Sequence, residues 1–177
     1  MINLSVKDVL GPLPSDGSCM VIATAGGKTF ALQCGHADAE MCHGLLSSES
    51  FNGPSPYDFM VKILDKLHVS MTKSEVEVVN GALYSKLWFK SSRMRKPLKA
   101  VSGNPMAAIN SGLAAGKSIT VNRDFMAMVV DVSDEYANMK NAIGTLWPLP
   151  AKLTSTESLK VLSEFIDQAQ LQDAKSQ

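Results

Sequence analysis

Cys34-Gly35-His36-Ala37-Asp38-Ala39-Glu40-Met41-Cys42-His43 gathers two imidazoles, two carboxylates and two thiols within ten residues. On a helix His36, Glu40 and His43 fall at i, i+4 and i+7 and share a face, with Asp38 and Cys42 forming a neighbouring pair. Imidazole and carboxylate at this spacing suit a divalent ion, which binds phosphate and lowers the pKa of a coordinated water. The same acidic run is equally what the positive end of a helix favours in its first turn. The spacing is not that of a HExxH helix, so both readings stand.

A second cluster is cationic. Lys90, Arg93, Arg95, Lys96 and Lys99 follow directly on Trp88 and Phe89. Such a stretch tracks a phosphate backbone while an aromatic ring stacks on a base; its other reading is a solvated hairpin loop. Tyr57-Asp58 opens a helix, where Asp58 serves either as ligand or general base or as a capping carboxylate. Gly112 to Ser118 ends in Gly-Lys-Ser, but Gly112 stands one position too close for a phosphate-binding loop and the glycines close a helix rather than open one. Nucleotide binding by that route is excluded. Cys34 and Cys42 have no local signature of a nucleophile and read as small buried hydrophobes.

The elements that must position these groups belong to an ordinary globular chain of 177 residues, 45% hydrophobic and 19% charged. Seventeen basic residues balance seventeen acidic ones, so binding to a polyanion has to come from a local patch. No signal peptide is expected at MINLSVKDVLGPLP, and apolar runs such as 125–132 are far below the roughly 20 residues of a membrane helix. No membrane association and a cytoplasmic location are expected, with the three cysteines reduced.

Alternation predicts strands at 2–9, 19–24 and 29–34, the last two joined at Gly26-Gly27. Helical spacing follows over 38–46. Asn52-Gly53-Pro54 breaks the chain before a second helix whose apolar stripe, Phe59, Ile63, Leu64 and Leu67, is expected to lie on the sheet. Asn80-Gly81 between 75–79 and 82–89 is the signal of a type I′ hairpin. A short strand at 100–102, a helix over 106–115 and a strand at 118–121 complete the pattern, and 135–143 is helical in spacing. From Thr156 to Gln172, Leu159, Leu162, Phe165, Ile166 and Ala169 share one face of an amphipathic helix that must dock or pair. The expected fold is α+β, a largely antiparallel sheet with about three packed helices and a C-terminal amphipathic helix. The expected division is a domain over 1–130 and a helical extension over 131–177.

In order and spacing, several of these stretches resemble the bifunctional nuclease family across roughly 21–126. The stretches are Phe30-Ala31-Leu32-Gln33-Cys34-Gly35, Pro54-Ser55-Pro56-Tyr57-Asp58-Phe59, Gly81-Ala82-Leu83-Tyr84-Ser85, Asn104-Pro105-Met106-Ala107-Ala108 and Gly116-Lys117-Ser118-Ile119-Thr120-Val121. The resemblance implies DNase and RNase activity, with Asp38 and Asp58 at the family's acidic positions. Tyr57 stands where the family has His, and Asn104 and Ala107 where it has Arg and Asp.

It thus implies metal-assisted phosphodiester hydrolysis at Asp38 and Asp58, to which the helical spacing adds Glu40 as a catalytic residue and His36 as a ligand beside Asp38 and Asp58 for Mg²⁺ or Mn²⁺. Lys90, Arg93, Arg95 and Lys96 then hold DNA or RNA. The alternatives are a catalytically silent scaffold and a nucleic-acid-binding module without hydrolysis. A homodimer is expected from the resemblance and from the amphipathic tail.

Overall fold

The computed structural model describes residues 1–47, 55–93, 95–150, 152–153 and 155–174. The break expected at Asn52-Gly53-Pro54 lies outside the described residues. In chain order the elements are β1 (Ile2–Leu10), β2 (Cys19–Ala25), β3 (Lys28–Cys34), α1 (His36–Ser47), α2 (Pro56–Lys66), β4 (Val69–Val79), β5 (Ala82–Ser91), β6 (Leu98–Ser102), α3 (Pro105–Ala114), β7 (Ile119–Val121), α4 (Arg123–Met128), α5 (Ser133–Ile143) and α6 (Thr156–Ala174). The fold is α+β, with strands hydrogen-bonded in the order β3-β2-β1-β7-β4-β5-β6. The strand pairs β1–β7, β2–β3, β4–β5 and β5–β6 are antiparallel, whereas β4 and β7 are parallel.

Contacts divide the chain into two compact units, one of Met1–Leu4 with Gly44–Met126 and one of Ser5–His43 with Ala127–Gln177. In the second unit the C-terminal segment shares a core with the first hairpin.

In the first unit the β4–β5 hairpin turns at Asn80 and Gly81, whose φ angles of 52° and 79° are the left-handed values a type I′ turn requires. The register follows from that turn, so Lys73 lies opposite Trp88, Glu75 opposite Lys86 and Glu77 opposite Tyr84. Successive side chains alternate faces. Ser74, Val76 and Val78 are buried, and α3 packs on that side of β4, β5 and β7. The approach is close at Gly112, where a Cβ would stand 2.5 Å from the Ile119 side chain and 2.6 Å from Ser74 Oγ. Helix α2 packs on β4 and α3 through its half-buried side, but Phe59, Ile63 and Leu67 are 58%, 43% and 63% exposed. This corrects the expected stripe. Equal apolar character on two sides of a short helix leaves the choice of buried face to the neighbouring elements.

In the second unit β2 and β3 pair in full register, from Cys19 opposite Cys34 to Ala25 opposite Lys28. Leu10, Met20, Ile22 and Ala31 meet Val132 and Met139 of the α5 region and Leu162, Phe165 and Ala169 of α6 in one core. The amphipathic tail therefore docks within its own chain. Helix α5 falls on the segment of helical spacing at 135–143, and α4 is an addition that takes up part of an apolar run whose period was not readable.

Candidate nucleic-acid interface

The three clusters singled out above have different fates. In the second unit, α1 opens at His36 and carries Asp38 in its first turn, as the helix dipole favours. The His36 and His43 rings lie 5.3 and 6.0 Å from the Trp147 ring, so the indole sits by both imidazoles. His36 Nδ1 is also 3.8 Å from Cys19 Sγ. Glu40 is exposed on the same helix. The Cys34 and Cys42 thiols are pushed up to about 12, first by burial, then by a neighbouring thiol, Cys19 for Cys34 and Cys34 for Cys42, and last by the Asp38 charge. Thiols held in this state are neutral and inert as nucleophiles.

Asp58, in the first unit, is the third residue of α2 and forms a capping box with Ser55. Ser55 N and Ser55 Oγ donate to Asp58 Oδ2 at 3.2 and 2.7 Å, and Asp58 N donates to Ser55 Oγ at 3.0 Å. Its carboxylate is thereby engaged in holding the start of a helix. Among the described residues no three His, Cys, Asp or Glu side chains gather as a group able to hold a metal ion, so His36, Asp38, Glu40 and Asp58 form no such set. At the third family position, Asn104 is the N-cap of α3, its side chain accepting from Met106 N at 2.9 Å.

The cationic cluster keeps its chemistry. Lys90, Arg93, Arg95, Lys96 and Lys99 are all exposed, along the end of β5 and into β6. Among the described residues none of the five enters an ion pair. Two lysines on the neighbouring sheet face are neutralised locally, Lys73 by Glu75 and Lys86 by Glu77.

Trp88 stands beside this patch on the sheet face opposite α3. Lys73 Nζ and Lys99 Nζ lie 5.0 and 5.9 Å from its ring centroid. Its indole N–H donates to the buried Glu75 carboxylate, which also accepts from Lys73 Nζ. Burial raises the Glu75 pKa, but the hydrogen bonds from Lys73 and Trp88 and the charges of Lys73 and Lys86 outweigh it, leaving the carboxyl below its ordinary value. The indole is consequently fixed in place beside a row of solvated cations.

Sequence reasoning did not single out Glu75 and Lys73, although the Asn-Gly turn determines their register with Trp88. It also missed a cavity of about 350 Å³ at the end of this patch, lined by Asp65, His68, Ser70, Lys90, Ser91 and Ser92. Those residues come from three elements with no common spacing, so no local pattern announced it. Among the described residues no helix is long and apolar enough to cross a membrane. Comparison with models of known protein families and with curated proteins gives no match.

Proposed function

We propose that this protein binds single-stranded nucleic acid through the β5–β6 hairpin and the adjoining open sheet face. The observation that carries the reading is the run of exposed cations beside Trp88 that have no carboxylate partner among the described residues. Lys90, Arg93, Arg95 and Lys96 take backbone phosphates, and the Trp88 ring offers a stacking face to an unpaired base. A single strand suits this geometry because its bases are free to leave the stack, whereas a duplex offers an aromatic on a sheet only its backbone.

The reading contains no metal step, because the described His, Asp, Glu and Cys side chains do not gather as ligands. The scaffold alternative has less support, since Leu162, Phe165 and Ala169 of the C-terminal helix are spent on the core of their own unit, while Leu159 and Leu171 of that helix stay about half exposed. Three free thiols agree with a cytoplasmic setting for this binding.

The test is fluorescence anisotropy with labelled single strands of DNA and RNA and with a duplex, over a range of salt. Binding that is strongest for single strands, falls with salt, and is weakened on replacing Arg93 and Arg95 by Ala supports the proposal. Equal binding by that variant removes it. The same samples incubated with Mg²⁺, Mn²⁺ or EDTA and run on a gel separate binding from cleavage.

A further inference from the structure

The cavity at the junction of α2, β4 and β5 has two chemically opposite walls. One is the C-terminal end of α2, where Asp65 supplies a carboxylate. His68 there has a φ of 56°, a left-handed backbone that costs a non-glycine residue energy. The other is the end of β5, where Lys90 supplies an ammonium and Ser92 a hydroxyl. The walls are held together by the β4–β5 pairing, in which Ser70 lies opposite Lys90 and donates to its carbonyl oxygen at 3.4 Å. Among the described residues neither the Asp65 nor the Lys90 side chain enters an ion pair, so the two charges do not cancel each other.

A ligand that satisfies both walls needs an anion for Lys90 and Ser92 and a hydroxyl donor for Asp65. A nucleotide with a ribose 2′-hydroxyl meets both requirements, and a deoxynucleotide only the first. The volume of about 350 Å³ is in the range of small-ligand sites, and Lys90, the first cation of the run, lines the cavity itself with Ser91 and Ser92. We propose that this cavity seats one ribonucleotide unit of the bound strand, with Lys90 and Ser92 on its phosphate and Asp65 accepting from its 2′-hydroxyl, so that RNA is preferred to DNA. This rests on the nucleic-acid-binding reading above.

The experiment measures anisotropy for single strands of one sequence made as RNA, as deoxyuridine-containing DNA and as 2′-O-methyl RNA. A charge-assisted hydrogen bond predicts that wild type favours RNA over both analogues by about tenfold. Asp65→Ala abolishes that preference while its DNA affinity stays the same or rises, and Lys90→Ala weakens all three strands alike. Lys62→Ala, on α2 but outside the cavity, keeps the wild-type ratio. Equal affinity of wild type for RNA and DNA, or an undiminished RNA preference in Asp65→Ala, overturns the assignment while leaving nucleic-acid binding intact. Failure of all three strands to bind overturns both.

Discussion

Lys73 and Trp88 face each other across the β4–β5 hairpin with the ammonium 5.0 Å from the indole centroid, and both donate to the carboxylate of Glu75. The arrangement makes Trp88 a fixed feature of the sheet face rather than a mobile aromatic. Replacing it by Leu keeps the strand apolar but removes the stacking surface. Base stacking on one aromatic is worth about 1–3 kcal/mol, so Trp88→Leu is expected to weaken single-strand binding by roughly 5- to 150-fold. Titration by anisotropy checks this, and an unchanged affinity would mean that no base reaches the indole.

The same triad gives a pH dependence. Because the folded Glu75 carboxyl lies below its ordinary value of 4.5, its contribution to stability is present above that value and is lost as pH falls through the folded pKa. The stability difference between wild type and Glu75→Gln should therefore be constant at neutral pH and shrink under acid. Urea melts followed at several pH values, in a Trp147→Phe background so that Trp88 alone reports, decide it. A difference that grows on acidification would contradict the sign.

Four exposed cations taking phosphates give a salt slope for single strands of about −3, the product of four contacts and a coefficient of about 0.7. Raising salt from about 50 to about 200 mM should then lower affinity roughly fiftyfold, and Arg93→Ala with Arg95→Ala should reduce the slope by about 1.4. A slope near zero would show that the patch carries no phosphate.

Phe59 and Phe165 are similar in type and opposite in environment. Phe165 is fully buried among Leu10, Met20 and Met139, so Phe165→Ala is expected to cost about 3–5 kcal/mol. Phe59→Ser, on the outward side of α2, should change stability by no more than about 0.5 kcal/mol. Denaturant unfolding of the two variants distinguishes them, and a large loss at Phe59 would place that side chain in a contact.

Burial and neighbouring charge hold Cys34 and Cys42 at about 12 against 9.0 for an ordinary thiol. At about pH 8 this lowers the thiolate fraction roughly a thousandfold, so both should alkylate with iodoacetamide roughly a thousandfold more slowly than a peptide thiol. Mass spectrometry of timed reactions measures it. Rapid labelling of Cys34 would show a reactive thiolate and reopen a chemical role for the cluster around α1.

Local pattern was enough for what local forces decide. The Asn80-Gly81 turn carries its own backbone geometry, and with it the whole register that brings Lys73, Glu75 and Trp88 together. The starts of α2 and α3 are local in the same sense, since the capping side chains of Ser55 and Asn104 lie two or three residues from the amides they satisfy. The cationic run at Lys90–Lys99 was visible as composition, and solvent is where unpaired cations belong. The α+β class followed from the mixture of periods two and 3.6.

Tertiary structure decided everything that depends on which surfaces meet. Asp58 is a capping carboxylate through its bonds with Ser55, a role its residue type shares with metal ligation and which spacing alone left open. Helix α2 turned Phe59, Ile63 and Leu67 outward because β4 and α3 took its other side, and α6 found apolar partners more than 100 residues earlier in the chain, at Leu10 to Ala31. The cavity of Asp65, His68 and Lys90 exists only because pairing of β4 with β5 places the end of β5 beside the end of α2. Sequence determines short-range geometry residue by residue, whereas burial and long-range convergence depend on the sum of many weak contacts whose partners are distant along the chain.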